Sequence, residues 1–304
     1  MSATNLEARR VRPPLAARLL RAYLRTNLRG RTRLTSALAQ RLRSLQAVPI
    51  EIGDLPPVYM DLRLGDSRLW LKGSPWESSP REVGEQAAMR KVVRAGDVVF
   101  DIGANVGLHT VLLSSIAGPE GRVFAFEPNE ELLPALRLTV GGLGNTKLFS
   151  YALSNESSTA ELFVPLDHSM ASLSDWTRGR VEDEARKMTC ELRRMDDLVE
   201  SGAVPRPDFI KCDVEGAELT VFRGGARTLD CEDAPVILFE ANVHTTRGFG
   251  LPLSAAKDFL ASLRRARYYF LEVGESGELS AVEELNPVHS NLLAVPRAKA
   301  AHVG

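Results

Sequence analysis

Three observations predict an α/β fold with a doubly wound, mostly parallel sheet. Short apolar runs recur along the chain, helical patterns separate them, and the runs are continuous rather than alternating, as expected of strands covered on both faces. The runs are VVFDI (98–102), RVFAFEP (122–128), KLFSYAL (147–153), PDFIKCDV (207–214), PVILFEAN (235–242), YYFLEV (268–273) and NLLAV (291–295). Helices are expected after the first run to about Ile116, after the second to about Leu138, from near Ala217 after the fourth, and over 252–266 after the fifth.

Upstream the pattern changes. Residues 58–72 (VYMDLRLGDSRLWLK) alternate around Gly65-Asp66, which reads as a β-hairpin, and a helix follows over 80–94 before the turn Ala95-Gly96-Asp97. Residues 14–46 carry leucines at three- and four-residue steps between arginines, an amphipathic helical pattern broken near Asn27-Leu28-Arg29-Gly30. The expected organisation is an Arg-rich helical extension over 1–57, the α/β domain over 58–298 and a tail over 299–304.

A chain of 304 residues, 44% of them hydrophobic, supports one large core or two modest ones. The net charge of −1 hides an asymmetry, because eleven arginines lie between Glu7 and Arg43 with Glu7 as the one acid. A basic amphipathic helix of this kind can cap a groove of its own fold, lie on an anionic membrane surface, or bind nucleic acid; the leucine stripe argues against the last. Cys190, Cys212 and Cys231 are odd in number and lack metal-ligand spacing, which suggests a reducing compartment. No apolar run nears the roughly 18 residues of a membrane span. The Arg-rich start lacks a following apolar segment of the secretory type. A cytoplasmic location is expected, with membrane association through the arm as an addition.

The first strand ends in Asp101, and Gly103 and Gly107 follow at G-x-x-x-G spacing. In open parallel sheets, ligands sit at the carboxyl ends of strands. The glycines are expected to let the backbone approach such a ligand. A dinucleotide site wants G-x-G-x-x-G and a phosphate, but an aspartate at the crevice suits a ligand with a positive centre instead. Glu127, ending the second strand twenty residues beyond Gly107, can accept both hydroxyls of a ribose. Ribose clamp, tolerated cation and missing phosphate loop together point to S-adenosylmethionine. A nicotinamide-dependent oxidoreductase shares the sheet and the ribose acid but fits Asp101 poorly. An RNA-associated protein using the basic arm is the other alternative, and no N-P-P-Y-type or paired-cysteine feature of base methylation supports it.

DIGANVGLHT, FAFEPN, DFIKCDVEGAELTVFRGG and ILFEAN resemble the FkbM family of S-adenosylmethionine-dependent methyltransferases, from about Leu71 to Pro296. The D-x-E-G-x-E block (Asp213, Glu215, Gly216, Glu218) is the most specific part. The resemblance implies a Rossmann-like, seven-stranded class I methyltransferase fold and O-methylation of a hydroxyl on a sugar, glycan, glycolipid or glycosylated natural product. Leu108-His109 departs from it, aromatic residues being frequent there. Expected cofactor contacts are Asp101, Gly103, Asn105, Gly107, Glu127, Pro128 and, at the end of the third strand, Leu153.

A sugar hydroxyl is too weak an acid to lose its proton unaided at neutral pH, so a base or a metal is needed. Asp213, at the end of the fourth strand, is the first candidate. Glu215 follows two residues later on the same side of an extended segment, and Glu240 ends the adjacent fifth strand. The three could hold Mg²⁺ through oxygen ligands. His244, just after the fifth strand, is a further base candidate, and His109 is placed to line the pocket. Lys211 is expected to pair with Glu240, and Cys212 to be a small buried hydrophobe. Within the excursion DHSMASLSDW (167–176), Trp176 is a candidate for stacking on a sugar face, and Asp196 is expected to cap a helix.

Overall fold

The computed structural model describes residues 11–26, 29–72, 79–165, 170–175 and 185–303. The first two arginines of the arm, Asn27-Leu28 of the predicted break, and Trp176 lie outside the described residues.

Helices α1 (Leu15–Leu24) and α2 (Arg31–Arg41) come first, then the antiparallel hairpin β1 (Val48–Ile52) and β2 (Leu55–Met60), then α3 (Gly65–Lys72) and α4 (Pro80–Val92). The strand–helix alternation begins with β3 (Val98–Ile102), α5 (Leu108–Ala117), β4 (Arg122–Phe126), α6 (Leu133–Gly141) and β5 (Thr146–Phe149). Three strands then leave it: β6 (Ala152–Leu153), β7 (Ser158–Val164) and β8 (Arg186–Arg193), followed by α7 (Met195–Glu200). The alternation resumes with β9 (Phe209–Cys212), α8 (Glu218–Gly224), α9 (Ala226–Leu229), β10 (Val236–Asn242), α10 (Val243–Gly248) and α11 (Ala255–Ser262). It closes with β11 (Tyr269–Val273), β12 (Leu279–Ala281) and β13 (His289–Val295).

The main sheet has the order β12-β11-β13-β10-β9-β3-β4-β5. From β10 to β5 every neighbouring pair is parallel, while β13 is antiparallel to both β10 and β11. The chain steps from β3 outward to β4 and β5, and later from β3 the other way to β9 and β10. The strand order therefore reverses beside β3, and a crevice opens there at the carboxyl ends. Alternate residues feed two cores. Val99 packs on one face with Val111, Leu112 and Met89 of the helices above it. Phe100 and Ile102 pack on the other with Phe126, Ile210 and Phe222. This is the expected Rossmann-like arrangement of seven strands, with β12 added at the edge.

Four expectations need correction. The hairpin lies at 48–60, with Gly53 (φ +52°) in its turn, not at 58–72. Strand β2 stops at Met60 because the Asp61 carboxylate accepts from Arg63 N at 2.9 Å and Nε at 2.8 Å, bending the chain, and Gly65-Asp66 opens a helix instead of a turn. Strand β2 also runs across position 57, where the extension was expected to end. The run 147–153 is split: β5 stays in the main sheet, whereas Ala152 and Leu153 pair with Leu192 and Arg193 of β8. Strands β7 and β8 form an antiparallel pair that the sequence reading missed, because only one side of it is buried and charged residues alternate along it. Asp196 sits inside α7 and caps α9 from a distance, accepting from Arg227 N at 3.1 Å and Thr228 N at 2.8 Å.

The leucine stripe of the arm behaves as a cap. Ala17, Leu20 and Leu24 of α1 are buried in the same core as Leu45, Leu62 and Leu71, and α1 packs against α3.

Candidate active site

The loop between β3 and α5 turns through three left-handed residues, Gly103 (φ +84°), Asn105 (φ +52°) and Gly107 (φ +91°). A Cβ on Gly103 would overlap the carbonyl oxygen of Asp213, and one on Gly107 would lie 2.8 Å from Leu136 Cδ1 of α6. Protein packed on protein thus already requires glycine at both positions, and Gly103 also lines the cavity described below. Gly103 N and Ala104 N both donate to Phe126 O at 3.0 Å, drawing the loop onto the end of β4. There Glu127 is buried, its Oε2 accepting from Asn105 N and its Oε1 from Asn129 N, each at 2.8 Å. Burial raises its pKa to about 7 against the pull of these two amides. Asp101 is also buried, accepting from Thr110 Oγ1 at 2.5 Å, and burial raises it as well.

The loop after β9 meets this one. Asp213 N donates to Ile102 O at 3.0 Å, tying the two loops together. Glu215 (φ +53°) and Gly216 (φ +95°) then turn the chain, with a Cβ on Gly216 excluded by Thr245 backbone at 2.6 Å. Buried Glu218 reaches back from the first turn of α8, its Oε1 accepting from Val214 N at 3.1 Å and Gly216 N at 3.3 Å. Ser172 Oγ donates to Glu215 O at 2.7 Å from the far side. The D-x-E-G-x-E spacing therefore describes a turn: Gly216 permits it, Glu218 holds it, and Asp213 and Glu215 are presented by it.

Both loops wall one cavity of about 490 Å³. Of the expected cofactor contacts, Gly103, Asn105, Glu127, Pro128 and Leu153 line it, whereas Asp101 and Gly107 do not. Asp213, Glu215 and Glu240 line it too, and one carboxylate oxygen from each lies within 4.8 Å of the others. His244 does not line the cavity. It is exposed on α10, and its backbone N–H donates to Asn242 Oδ1 at 3.0 Å, so the short helix turns its side chain away from the expected role.

Lys211 corrects another expectation, since its Nζ lies 3.0 Å from Asp213 Oδ2 rather than beside Glu240. Glu240 instead meets His289 Nε2 and lies 3.9 Å from Arg81. Burial alone would push Lys211 down, but Asp213, Asp101 and Glu85 outweigh it and hold the ammonium charged, above its usual range. The sequence reading missed Glu82 and Glu85, which α4 brings over the same wall. His109 Nε2 is 3.5 Å from a carboxylate oxygen of each, and Asn291 Nδ2 donates to Glu85 Oε1 at 2.5 Å. Burial raises Glu85 to about 8, while burial and Lys211 hold His109 well below its usual range. One signal for this cluster was available: a lysine inside the four-residue buried strand FIKC needs counter-charges nearby.

An open parallel sheet, a buried carboxylate clamped to a glycine loop, and a second acidic loop across one cavity make up a domain of Rossmann type with its crevice at the carboxyl ends of the strands. The chain belongs to the FkbM methyltransferase family: the Methyltransferase FkbM domain matches residues 101–270. It is 32% identical over 164 residues to the hexuronic acid methyltransferase AglP of Haloferax volcanii, covering 53% of this chain and 64% of that one. The chain thus spans less than two thirds of that relative's length. It is 27% identical over 178 residues to the 2-O-methyltransferase NoeI of Sinorhizobium fredii, covering 54% and 71%. Among solved structures, an O-methyltransferase from Bacillus cereus in complex with SAH is similar over 73% of this chain and 81% of that one, at 13% identity and a TM-score of 0.41.

Proposed function

We propose that the protein is an S-adenosylmethionine-dependent O-methyltransferase acting on a sugar hydroxyl. One observation carries this reading: a buried carboxylate fit for a ribose and a cluster of acids fit for a polyol face each other across a single cavity. The cofactor fits the residues present. Both oxygens of Glu127 are oriented by loop amides and keep lone pairs for the two ribose hydroxyls, and among the described residues the cavity lining contains no phosphate-binding run of glycines. Bound there, S-adenosylmethionine would supply an already activated methyl group.

The chain's own task is alignment and proton transfer. Asp213 is held from behind by Lys211 and from its backbone by Ile102, so its carboxylate points at a fixed place. Asp213 would take the acceptor hydroxyl's proton and Glu215 and Glu240 would accept from neighbouring hydroxyls, while the methyl group passes from the cofactor's sulfur to that oxygen and the cofactor leaves as its neutral thioether. The same three acids would hold Mg²⁺ if one is used, and the ion would acidify the hydroxyl in their stead. One relative is a hexuronic acid methyltransferase, which supports the sugar acceptor, and the other is a 2-O-methyltransferase, which supports transfer to oxygen.

Calorimetric titration with S-adenosylmethionine, with NAD as comparison, tests the cofactor half. Saturable binding of the first alone is expected. A mass gain of one methyl group on hexuronic acid or other sugar acceptors, assayed with Mg²⁺ and with EDTA, tests the acceptor half and decides between base and metal. Preference for NAD by folded protein would overturn the reading.

A further inference from the structure

The helical arm has a second face that its capping role does not use. Helix α1 buries Ala17, Leu20 and Leu24 against the fold, yet Leu15 and Leu19 remain 67% and 63% exposed. At about 100° per residue, Leu15 and Leu19 form one ridge on the side away from the buried stripe. Arg18, Arg21 and Arg25 are exposed and flank that ridge on one side. No Asp or Glu occurs in the sequence between Glu7 and Glu51, so this stretch of the arm is cationic throughout. Exposed Arg29, Arg33, Arg41 and Arg43 continue the positive surface through α2 and beyond it, with Leu34 and Leu42 exposed among them.

We propose that this outer face of α1 is a docking surface for an anionic phospholipid bilayer, the leucine ridge entering the headgroup boundary and the arginines meeting the lipid phosphates. Charge complementarity selects the occupant, because an apolar ridge flanked by cations is matched by a surface that offers acyl chains beneath a layer of negative charge. A nucleic acid offers the charge without an apolar layer for Leu15 and Leu19. No helix among the described residues is long and apolar enough to cross a membrane, so the contact is peripheral. Since α1 rests on α3, and Ser67 and Trp70 of α3 line the cavity, docking would bring that wall of the cavity next to the bilayer. The surface itself does not depend on the methyl-transfer reading.

Co-sedimentation of the full chain with vesicles tests it, comparing phosphatidylcholine alone with the same lipid containing about one third phosphatidylglycerol. Binding to the anionic vesicles only is expected. An arginine near an anionic surface contributes about fivefold to partitioning, so changing Arg18, Arg21 and Arg25 to Gln should weaken binding about a hundredfold. Changing Leu15 and Leu19 to Ser should weaken it at least about tenfold. All five residues are exposed, and unchanged melting curves would show that the variants still fold. Equal binding by the Leu15→Ser/Leu19→Ser variant would overturn the proposal by showing charge alone at work. So would absence of vesicle binding, or binding of single-stranded RNA with loss of vesicle binding in competition.

Discussion

Glu127 has both of its oxygens engaged by amides two and twenty-two positions away, and it is still held near neutrality by burial. Its ionised form has acceptor capacity left for two ribose hydroxyls, and its protonated form has one acceptor fewer. Cofactor affinity should therefore rise between pH 6 and 8 as the carboxyl ionises, and titration calorimetry at several pH values reads this directly. Glu127→Gln keeps the shape and removes the charge. Losing charge assistance from two hydrogen bonds, each of about 1.5–3 kcal/mol, it should bind at least tenfold more weakly and with little pH dependence. A Gln variant that keeps the wild-type slope would assign the effect to another group. Lys211 is the other residue with a clear consequence. Lys211→Met leaves Asp101 and Glu85 buried beside Asp213 without their shared cation. Removing one partner of a buried ion pair costs about 3–5 kcal/mol, and the partial exposure of Asp213 puts the expected loss at the lower end. Urea unfolding measures it.

At the scale of elements, the turn from Asp213 to Glu218 is held from within by Glu218 and from outside by Ser172. Glu218→Ala removes the acceptor of two backbone N–H groups, at about 1 kcal/mol each, and frees the turn that presents Asp213 and Glu215. Turnover should fall well below wild type while cofactor affinity stays within about threefold, because the Glu127 clamp is on the other loop; steady-state kinetics beside calorimetry separates the two. Loss of cofactor binding to the same extent would mean that the loops move as one. The motif was legible in the sequence but its turn was not, since Glu215 was expected on an extended segment and instead adopts a left-handed φ of +53°; β3, β4, β9 and β10 were legible, because strands buried on both faces leave continuous apolar runs. The pair β7–β8 was not. Its strands face solvent on one side and its connection spans some twenty residues, so neither a continuous run nor a tight-turn signal marked it. The segment 58–72 misled for a related reason. A Gly-Asp pair suits a hairpin turn and a helix start equally, and what decides between them, the bend made by Arg63 on Asp61, is a side-chain contact that no periodicity records.

At the scale of the molecule, the cavity draws its acids from elements far apart in the chain, Glu85 from α4, Glu127 after β4 and Glu240 from β10, and Glu218 of α8 is buried behind the loop that presents Asp213. Sequence reasoning found the groups at strand ends, since the topology fixes where those ends lie. It missed the contribution of α4, because only tertiary packing shows that Glu85 meets Asn291, some two hundred residues later. Their convergence has a price in pH dependence. Burial raises Glu85, Glu127 and Glu218 to about 8, 7 and 8, against an ordinary 4.5. Above pH 4.5 the unfolded chain releases these protons while the folded protein keeps them. The unfolded state then binds fewer protons, and stability falls as pH rises. The contribution is fully present below pH 4.5 and is lost by the time pH has passed through 7 to 8. The melting temperature of the ligand-free protein should accordingly drop between about pH 5 and 8. In Glu85→Gln/Glu218→Gln the amide oxygens still accept from Asn291, Val214 and Gly216, but nothing ionises. That variant should melt with a flatter pH profile and exceed the wild type at pH 9. Scanning fluorimetry across the window decides it, and parallel profiles for the two proteins would show that these buried acids do not govern the alkaline limit.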